Sequence, residues 1–212
     1  FPLCELPSRP FRRNVKTFDH HPILYREGFF EMKRMIFFAV LVLTLFHTPV
    51  TAEPPAGVVL YFQSGGEVYL LLAEHGNYSL RGWAGFGGGA REGETLAQTA
   101  AHKGEEESRG YFKRADLLKK FEEQKPVMDG EFAAYFAEVD YVPAQVVMNH
   151  PPPEALDTYL ERSNFAWIPF SAVEGHLKED IERGKTYRID PAYLPADSKT
   201  NWFWRAWLGN IR

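Results

Sequence analysis

The segment most informative about the fold is Gly88–Tyr111, which reads GGAREGETLAQTAAHKGEEESRGY. Two glycines open it and are typical of a loop. Thr95, followed three residues later by Gln98, forms a capping box, the sequence signature of a helix start. The next residues favour a helix as far as three consecutive glutamates, with Gly104 as the exception, and Gly110 stands where a C-terminal cap is expected. The stretch therefore predicts a glycine loop followed by a helix with an acidic end.

The three consecutive carboxylates, Glu105, Glu106 and Glu107, repel one another and face the negative end of the helix dipole. A bound cation would relieve that repulsion. A solvated acidic surface would also tolerate it, with Lys103 paired to Glu107 at i, i+4. The spacing leaves both interpretations open.

The stretch resembles the Nudix box, written G-x5-E-x7-R-E-U-x-E-E-x-G-U, where U is an aliphatic residue. Gly88 and Glu94 match its front without gaps, and its paired glutamates fall on Glu106 and Glu107. The aliphatic position falls on Gly104. The flanking segments are also similar to that family, so that the resemblance extends over about residues 56 to 208.

Several positions depart from the box. His102 stands at its arginine, Lys103 at its first glutamate and Arg109 at its closing glycine. A second register, anchored on Gly110, moves the pattern along by one residue and puts Ser108 in place of a glutamate. We adopt the first register because it retains more of the box, and the first glutamate is missing in both.

The resemblance implies an α/β fold, a Nudix-like α/β/α sandwich with a mixed sheet. It also implies a metal-dependent hydrolase of the diphosphate linkage in a small molecule of the nucleoside diphosphate-X type. Glu106 and Glu107 are then the metal ligands and catalytic residues, with Mg²⁺ or Mn²⁺ as cofactor. Gly88 and Gly89 shape the loop, and Glu94 braces the helix. Divalent ions suit this chemistry because they neutralise the polyanionic diphosphate and prefer oxygen ligands.

Lys103 has two interpretations. Its ammonium takes the place of a metal ligand, which reduces the number of ions bound, or it contacts the substrate phosphate directly. We expect Lys103 to be a substrate-binding residue. The alternatives to a hydrolase are a catalytically impaired Nudix-like domain that binds a ligand or partner, and a domain that uses the fold as a scaffold. The general base is expected outside the box.

Outside this stretch, the apolar pattern predicts a mixture of strands and helices. The predicted strands are Ala56–Phe62, Glu67–Ala73, Glu131–Tyr141 and Phe165–Phe170, of which the first two form a hairpin through a Ser-Gly-Gly turn. Residues Gly82–Gly89 are predicted to be a loop. The predicted helices are Pro153–Glu161, Ser171–Arg183 and the amphipathic tail Asn201–Leu208, which we expect to pack on the core.

Composition narrows the classes of function. The chain has 212 residues, 45% of them hydrophobic, which is enough for one core. A net charge of -4 argues against a nucleic-acid partner, and the single cysteine, Cys4, excludes a disulfide within the chain. The histidines His75, His150 and His176 have no metal-ligand spacing and are interpreted as surface or core residues.

The N-terminal part is not expected to belong to the fold. Residues 32–52 read MKRMIFFAVLVLTLFHTPVTA, a basic start, a short apolar run and small residues before a cut, which predicts a cleaved signal peptide. Residues 1–31 show no periodicity and are interpreted as an upstream segment translated in error or a disordered extension. The mature domain is then 53–212, exported to the periplasm or secreted, with no stable membrane anchor after cleavage.

Overall fold

The structure, a computed structural model, describes residues 54–76, 81–153, 157–178 and 180–212. All of them fall within the compact unit Thr51–Arg212. The predicted signal peptide and the segment before it lie outside the described residues. Among the described residues, no helix is both long and apolar enough to cross a membrane.

The centre of the sheet is an antiparallel hairpin of β1 (Ala56–Ser64) and β2 (Glu67–His75), which confirms the predicted pair. Its turn depends on Gly65 and Gly66, whose φ angles of 59° and 82° suit glycine. Alternate residues of both strands face opposite sides of the sheet, so that each side receives its own apolar layer.

The glycine stretch is not the continuous loop that we predicted. It contains β3 (Trp83–Ala84), which pairs with β2, and β4 (Phe86–Gly88), which pairs with β1. The glycines allow two backbones to approach closely, because a Cβ atom on Gly57 would lie 2.4 Å from the carbonyl oxygen of Phe86. The high glycine content of this segment is therefore explained by the close contact between the backbones of β1 and β4.

Three further strands complete a mixed, seven-stranded sheet: β5 (Val127–Asp129), β6 (Phe132–Glu138) and β7 (Arg162–Pro169). The order is β3-β2-β1-β6-β5, with β4 paired to β1 and β7 paired to β2. The β1 and β6 strands are parallel and the other pairs are antiparallel. The predicted α/β fold with a mixed sheet is thus confirmed.

Helices cover both faces of the sheet. They are α1 (Leu96–Glu107), α2 (Arg114–Phe121), α3 (Ala144–Met148), α4 (Phe170–Leu177) and α5 (Arg205–Asn210). Residues of α1, α2 and α3 join one apolar layer, and those of α4 and α5 join the other. We did not predict α2 or α3. Within the described residues, the predicted helix Pro153–Glu161 contains a 3-10 turn at Asp157–Leu160, and the predicted helix Ser171–Arg183 corresponds to α4.

The C-terminal tail is only partly helical, because α5 begins at Arg205 and the residues before it are extended. Phe203 forms a parallel bridge with Trp83. The amide of Trp83 donates to the carbonyl of Trp202 at 2.9 Å, and the amide of Trp204 donates to the carbonyl of Trp83 at 2.7 Å. The tail therefore extends the sheet before it packs on it.

Candidate functional site

Helix α1 positions the candidate site. The predicted capping box is present, with the Thr95 hydroxyl accepting from the Gln98 amide and the Gln98 side chain accepting in return. Gly104 brings the helix close to its neighbours, since a Cβ atom there would lie 2.6 Å from Leu117 and 2.9 Å from Val58. The apparent exception to helix propensity is thus a packing requirement.

The helix ends at Glu107, and Arg109, two residues later, takes a left-handed conformation. Arg109 has φ of 57°, which suits the glycine of the box at this position in the first register. Gly110 also has a positive φ, of 74°, so the closing position alone does not separate the two registers.

Glu94 connects the glycine loop to α1 and so favours the first register. Its carboxylate lies 3.2 Å from His102 Nδ1 and 3.2 Å from the Arg114 guanidinium, and it accepts from the Arg91 amide. Burial opposes ionisation of Glu94, but the Arg91 amide, His102 and Arg114 outweigh it and lower the pKa. Glu94 thus contacts the helix through His102, and its role as a brace stays a prediction.

Glu106 is almost fully buried, and both of its oxygens are already bonded. Oε1 lies 2.7 Å from the Arg91 guanidinium and 3.0 Å from His102 Nε2, and Oε2 lies 2.8 Å from Lys103 Nζ. Burial opposes ionisation, but the hydrogen bond and charge of Lys103, with His102 and Arg91, lower the pKa of Glu106. Lys103 pairs with Glu106 at i, i+3, and the i, i+4 pairing with Glu107 is wrong.

Glu107 points to a different partner, across the domain. It accepts from Arg162 at 2.5 Å and from the Gly87 amide at 3.1 Å, and both charged side chains are buried. Burial raises the pKa of Glu107, and Arg162 offsets this only in part. The guanidinium also donates to the carbonyl of Gly85 at 3.2 Å, which ties β7 to the glycine stretch.

The divalent ion that the Nudix resemblance implies does not fit these residues as they are arranged. Each carboxylate of Glu94, Glu106 and Glu107 already has a cationic partner, so a metal would have to displace it. Among the described residues, no group of three or more histidine, cysteine, aspartate or glutamate side chains could hold a metal ion. Both oxygens of Glu106 are bonded to side-chain nitrogens, so a metal that binds both oxygens would have to displace Arg91, His102 and Lys103.

The carboxylates of Glu94, Glu106 and Glu107 and their cationic partners form one cluster. The remaining predicted site residues lie near it. The side chain of Lys103 lies on Gly88, where a Cβ atom would be 3.1 Å from Lys103 Cε and 3.9 Å from Nζ. Gly89 is exposed, with nothing within 4 Å of a Cβ atom built on it. Lys103 and Arg91 are the more accessible of the cations on Glu106, with side-chain exposures of 20% and 60%.

The partners of these carboxylates, Arg91 and Arg162, are not evident from the sequence pattern. Arg91 lies within the box, where the pattern does not specify a residue. Arg162 is 55 residues away from Glu107, and no local pattern connects the two. The available signal was an arginine at the edge of an apolar strand, which needs a buried counter-charge.

His75 of β2 lies opposite Arg162 of β7 in the register of these two strands. It is buried, with its ring edge-on to Trp204 at 5.2 Å, and Glu161 is 3.8 Å away. Burial, with the positive charges of Arg162 and Arg81, lowers the pKa of His75 to about 2. It is a core histidine, as we interpreted it.

The family of the chain is shown by comparison with known protein families. The NUDIX domain model matches residues 52–188, more than half of the chain, so the chain belongs to the Nudix family, as its sequence resemblance predicted. No curated protein matches the chain.

Solved structures that the chain resembles include two Nudix proteins and a hydrolase. A MutT/nudix family protein from Enterococcus faecalis is 13% identical, with a TM-score of 0.38, over 69% of this chain and 57% of that one. The NUDIX domain of Shewanella oneidensis NrtR, solved with ADP ribose, is 17% identical, with a TM-score of 0.37, over 65% of this chain and 86% of that one. A C. elegans Ap4A hydrolase is 16% identical, with a TM-score of 0.33, over 58% of this chain and 82% of that one.

Proposed function

We propose that this Nudix domain binds a small molecule that contains a diphosphate, without a divalent ion, and that its hydrolytic turnover is impaired. The observation that carries the proposal is the state of Glu106, whose two oxygens contact Arg91, His102 and Lys103. In this arrangement Lys103 supplies the positive charge that the family pattern assigns to a metal.

The exposed end of the cluster suits an anion. One carboxylate, Glu106, contacts two side chains of fixed positive charge, Arg91 and Lys103, so within this group of three the positive charges outnumber the negative one. A guanidinium can bind two phosphate oxygens at once, and an ammonium acts as a compact point charge. A diphosphate held here would contact Lys103, in agreement with the predicted substrate-binding role.

The second candidate is the metal-dependent hydrolysis of a nucleoside diphosphate-X compound, with Glu106 and Glu107 holding Mg²⁺ or Mn²⁺. It is favoured by the exposure of Arg91, because a mostly solvated side chain can leave Glu106 at little energetic cost. Lys103 would also have to withdraw before both oxygens of Glu106 became available.

Calorimetry of the mature domain, residues 53–212, separates the two candidates. Metal-free binding predicts that ADP and inorganic pyrophosphate bind in EDTA, and that Mn²⁺ alone produces no binding heat. Metal-dependent hydrolysis predicts micromolar to millimolar Mn²⁺ binding that the Glu106→Gln/Glu107→Gln variant loses, with release of phosphate or a nucleotide product. Glu105→Gln is the matched control, because Glu105 has a more distant partner, Lys113 at 3.9 Å.

We also propose that the domain is exported, with cleavage after Ala52. The signal pattern supports this proposal, and so does the start of the family match at residue 52. N-terminal sequencing of the protein recovered outside the cytoplasm should begin at Glu53. Recovery of the full chain in the cytoplasm would contradict the proposal.

A further inference from the structure

A cavity of about 640 Å³ lies at the end of β1 that is distant from the box. Phe62 and Ser64 of β1 line it. At the other end of the strand, Ala56 pairs with Gly88 of the glycine stretch. Because a strand rises about 3.3 Å per residue, Phe62 and Ala56 lie roughly 20 Å apart. The cavity is therefore separate from the candidate functional site, and its volume is in the range of small-molecule sites, roughly 300–1,000 Å³.

Four aromatic side chains line this cavity, and the ring of Phe62 contacts the other three. It stacks on Tyr69, with ring centroids 5.0 Å apart and an interplanar angle of 11°. It meets Trp167 edge-on at 4.7 Å and Tyr141 at 4.9 Å. The Trp167 indole donates to the carbonyl of Val142 at 2.7 Å, which fixes the orientation of its ring. Together the four rings define what we call the aromatic cavity.

The rings of the aromatic cavity are not enclosed by the core. Tyr141 is 61% exposed, and Phe62, Tyr69 and Trp167 are half-buried. Rings that serve the core alone are normally covered by other side chains, whereas a group of exposed aromatic side chains is typical of a place of contact with a ligand or partner. The four rings are therefore accessible to a small molecule.

The charged residues that line the aromatic cavity are both acidic, Glu138 and Asp140. Glu138 pairs with Tyr61 of β1, which packs on the opposite apolar layer, so the Glu138 side chain is directed away from the rings. Asp140 follows the end of β6, directly precedes Tyr141 and forms no ion pair with another described residue. Among the described residues, no lysine, arginine or histidine lines the cavity. Asp140 therefore gives it a negative charge that no neighbouring cation neutralises.

We propose that the aromatic cavity binds a small organic cation that carries a methylated ammonium group. Such a cation is attracted to the negative faces of aromatic rings, and its methyl groups bury apolar surface against them. The charge of Asp140 favours a cation and disfavours an anion such as a diphosphate. A divalent metal ion does not suit the cavity, because it requires several oxygen ligands. This second ligand site is independent of the box and of the proposed diphosphate binding.

Calorimetry on the whole protein with two probes of the same shape tests the site. The probes are choline, a quaternary ammonium compound, and its neutral carbon analogue dimethylbutanol. Choline should bind about fivefold or more tightly than the alcohol, because only the cation interacts with the ring quadrupoles and with Asp140. Tyr141→Leu and Asp140→Asn should each remove most of that advantage. Lys103→Met, in the box, should leave it unchanged.

Tyr193→Leu and Asp197→Asn are the matched controls, because both residues are exposed and neither lines the aromatic cavity. Circular dichroism melting curves confirm that each variant is folded. A preference for choline that depends on Tyr141 and Asp140 supports the site. Equal binding of the two probes, or no binding of choline, overturns it, and so does a preference for choline that Tyr141→Leu and Asp140→Asn leave unchanged. Each of these outcomes leaves diphosphate binding at the box untouched.

Discussion

Among the single residues of the site, Lys103 has the largest effect, because its positive charge replaces the negative charge of a metal-binding glutamate in the family pattern. The family pattern has a glutamate there, three residues before Glu106 and on the same helix face. In this chain an ammonium donates to Glu106 at 2.8 Å. Lys103 thus replaces one carboxylate of the family pattern and forms an ion pair with a second one, Glu106.

The variant Lys103→Glu should therefore create metal affinity. It removes a competing cation and adds a carboxylate to the face that holds Glu106, and Kd for a divalent ion follows ligand charge. We expect Mn²⁺ to bind this variant in the micromolar to millimolar range, whereas the natural protein gives no binding heat. Calorimetry measures the change, and Lys103→Met controls for the loss of the ammonium alone. Equal Mn²⁺ binding by the two variants would contradict the prediction.

The lowered pKa of His75 predicts a pH dependence of stability. The unfolded chain binds a proton as the pH falls below the ordinary value of 6.5, but the folded chain does so only near a pKa of about 2. Stability from the neutral ring is therefore fully present above pH 6.5 and is lost as the pH falls below it. The free energy of unfolding should decrease by about 1.4 kcal/mol per pH unit from this group.

Urea denaturation at pH 7 and at lower pH measures this slope. The His75→Phe variant keeps a ring against Trp204 but cannot be protonated, so its stability should depend less steeply on pH. Parallel pH profiles for the two proteins would show that His75 does not contribute.

At the scale of elements, close packing explains the glycine inside α1. A methyl group at Gly104 would meet Leu117 and Val58 at less than van der Waals distance. Gly104→Ala should therefore destabilise the domain by about 1–3 kcal/mol through overpacking, although alanine favours a helix by about 1 kcal/mol. Chemical denaturation provides the measurement.

Gly175 in α4 is the matched control for this variant. Nothing lies within 4 Å of a Cβ atom built there, so Gly175→Ala should leave stability unchanged or raise it. A Gly104→Ala variant as stable as Gly175→Ala would refute the packing argument.

The elements that sequence analysis predicted are those with local signals. The hairpin of β1 and β2 follows from apolar strands around Gly65 and Gly66, and the start of α1 follows from its capping box. The short strands β3 and β4 were missed because their pairing is determined by distant backbone. The same holds for the candidate site. The box pattern identifies Glu106 and Glu107 from the sequence, whereas the contact between Arg162 and Glu107 depends on the tertiary fold.

At the scale of the whole molecule, the domain extends beyond the family segment. The second apolar layer includes Ile189, Phe203, Trp207 and Leu208, all after the end of the match at residue 188. A chain that ends at residue 188 should therefore fail to fold. We expect it to lack the cooperative melting transition of residues 53–212, and a cooperative transition in the shorter chain would disprove the claim.

The buried carboxylate of Glu74 has a consequence for how the chain is made. It accepts from the Thr200 amide at 2.6 Å and from the Thr200 hydroxyl at 2.8 Å, across 126 residues of sequence. A contact between such distant residues closes late, because loop-closure entropy opposes it until the intervening structure has formed. During translation on the ribosome, Glu74 therefore has no Thr200 to bind until almost the whole domain has been synthesised. We expect the nascent chain to remain accessible to chaperones until then.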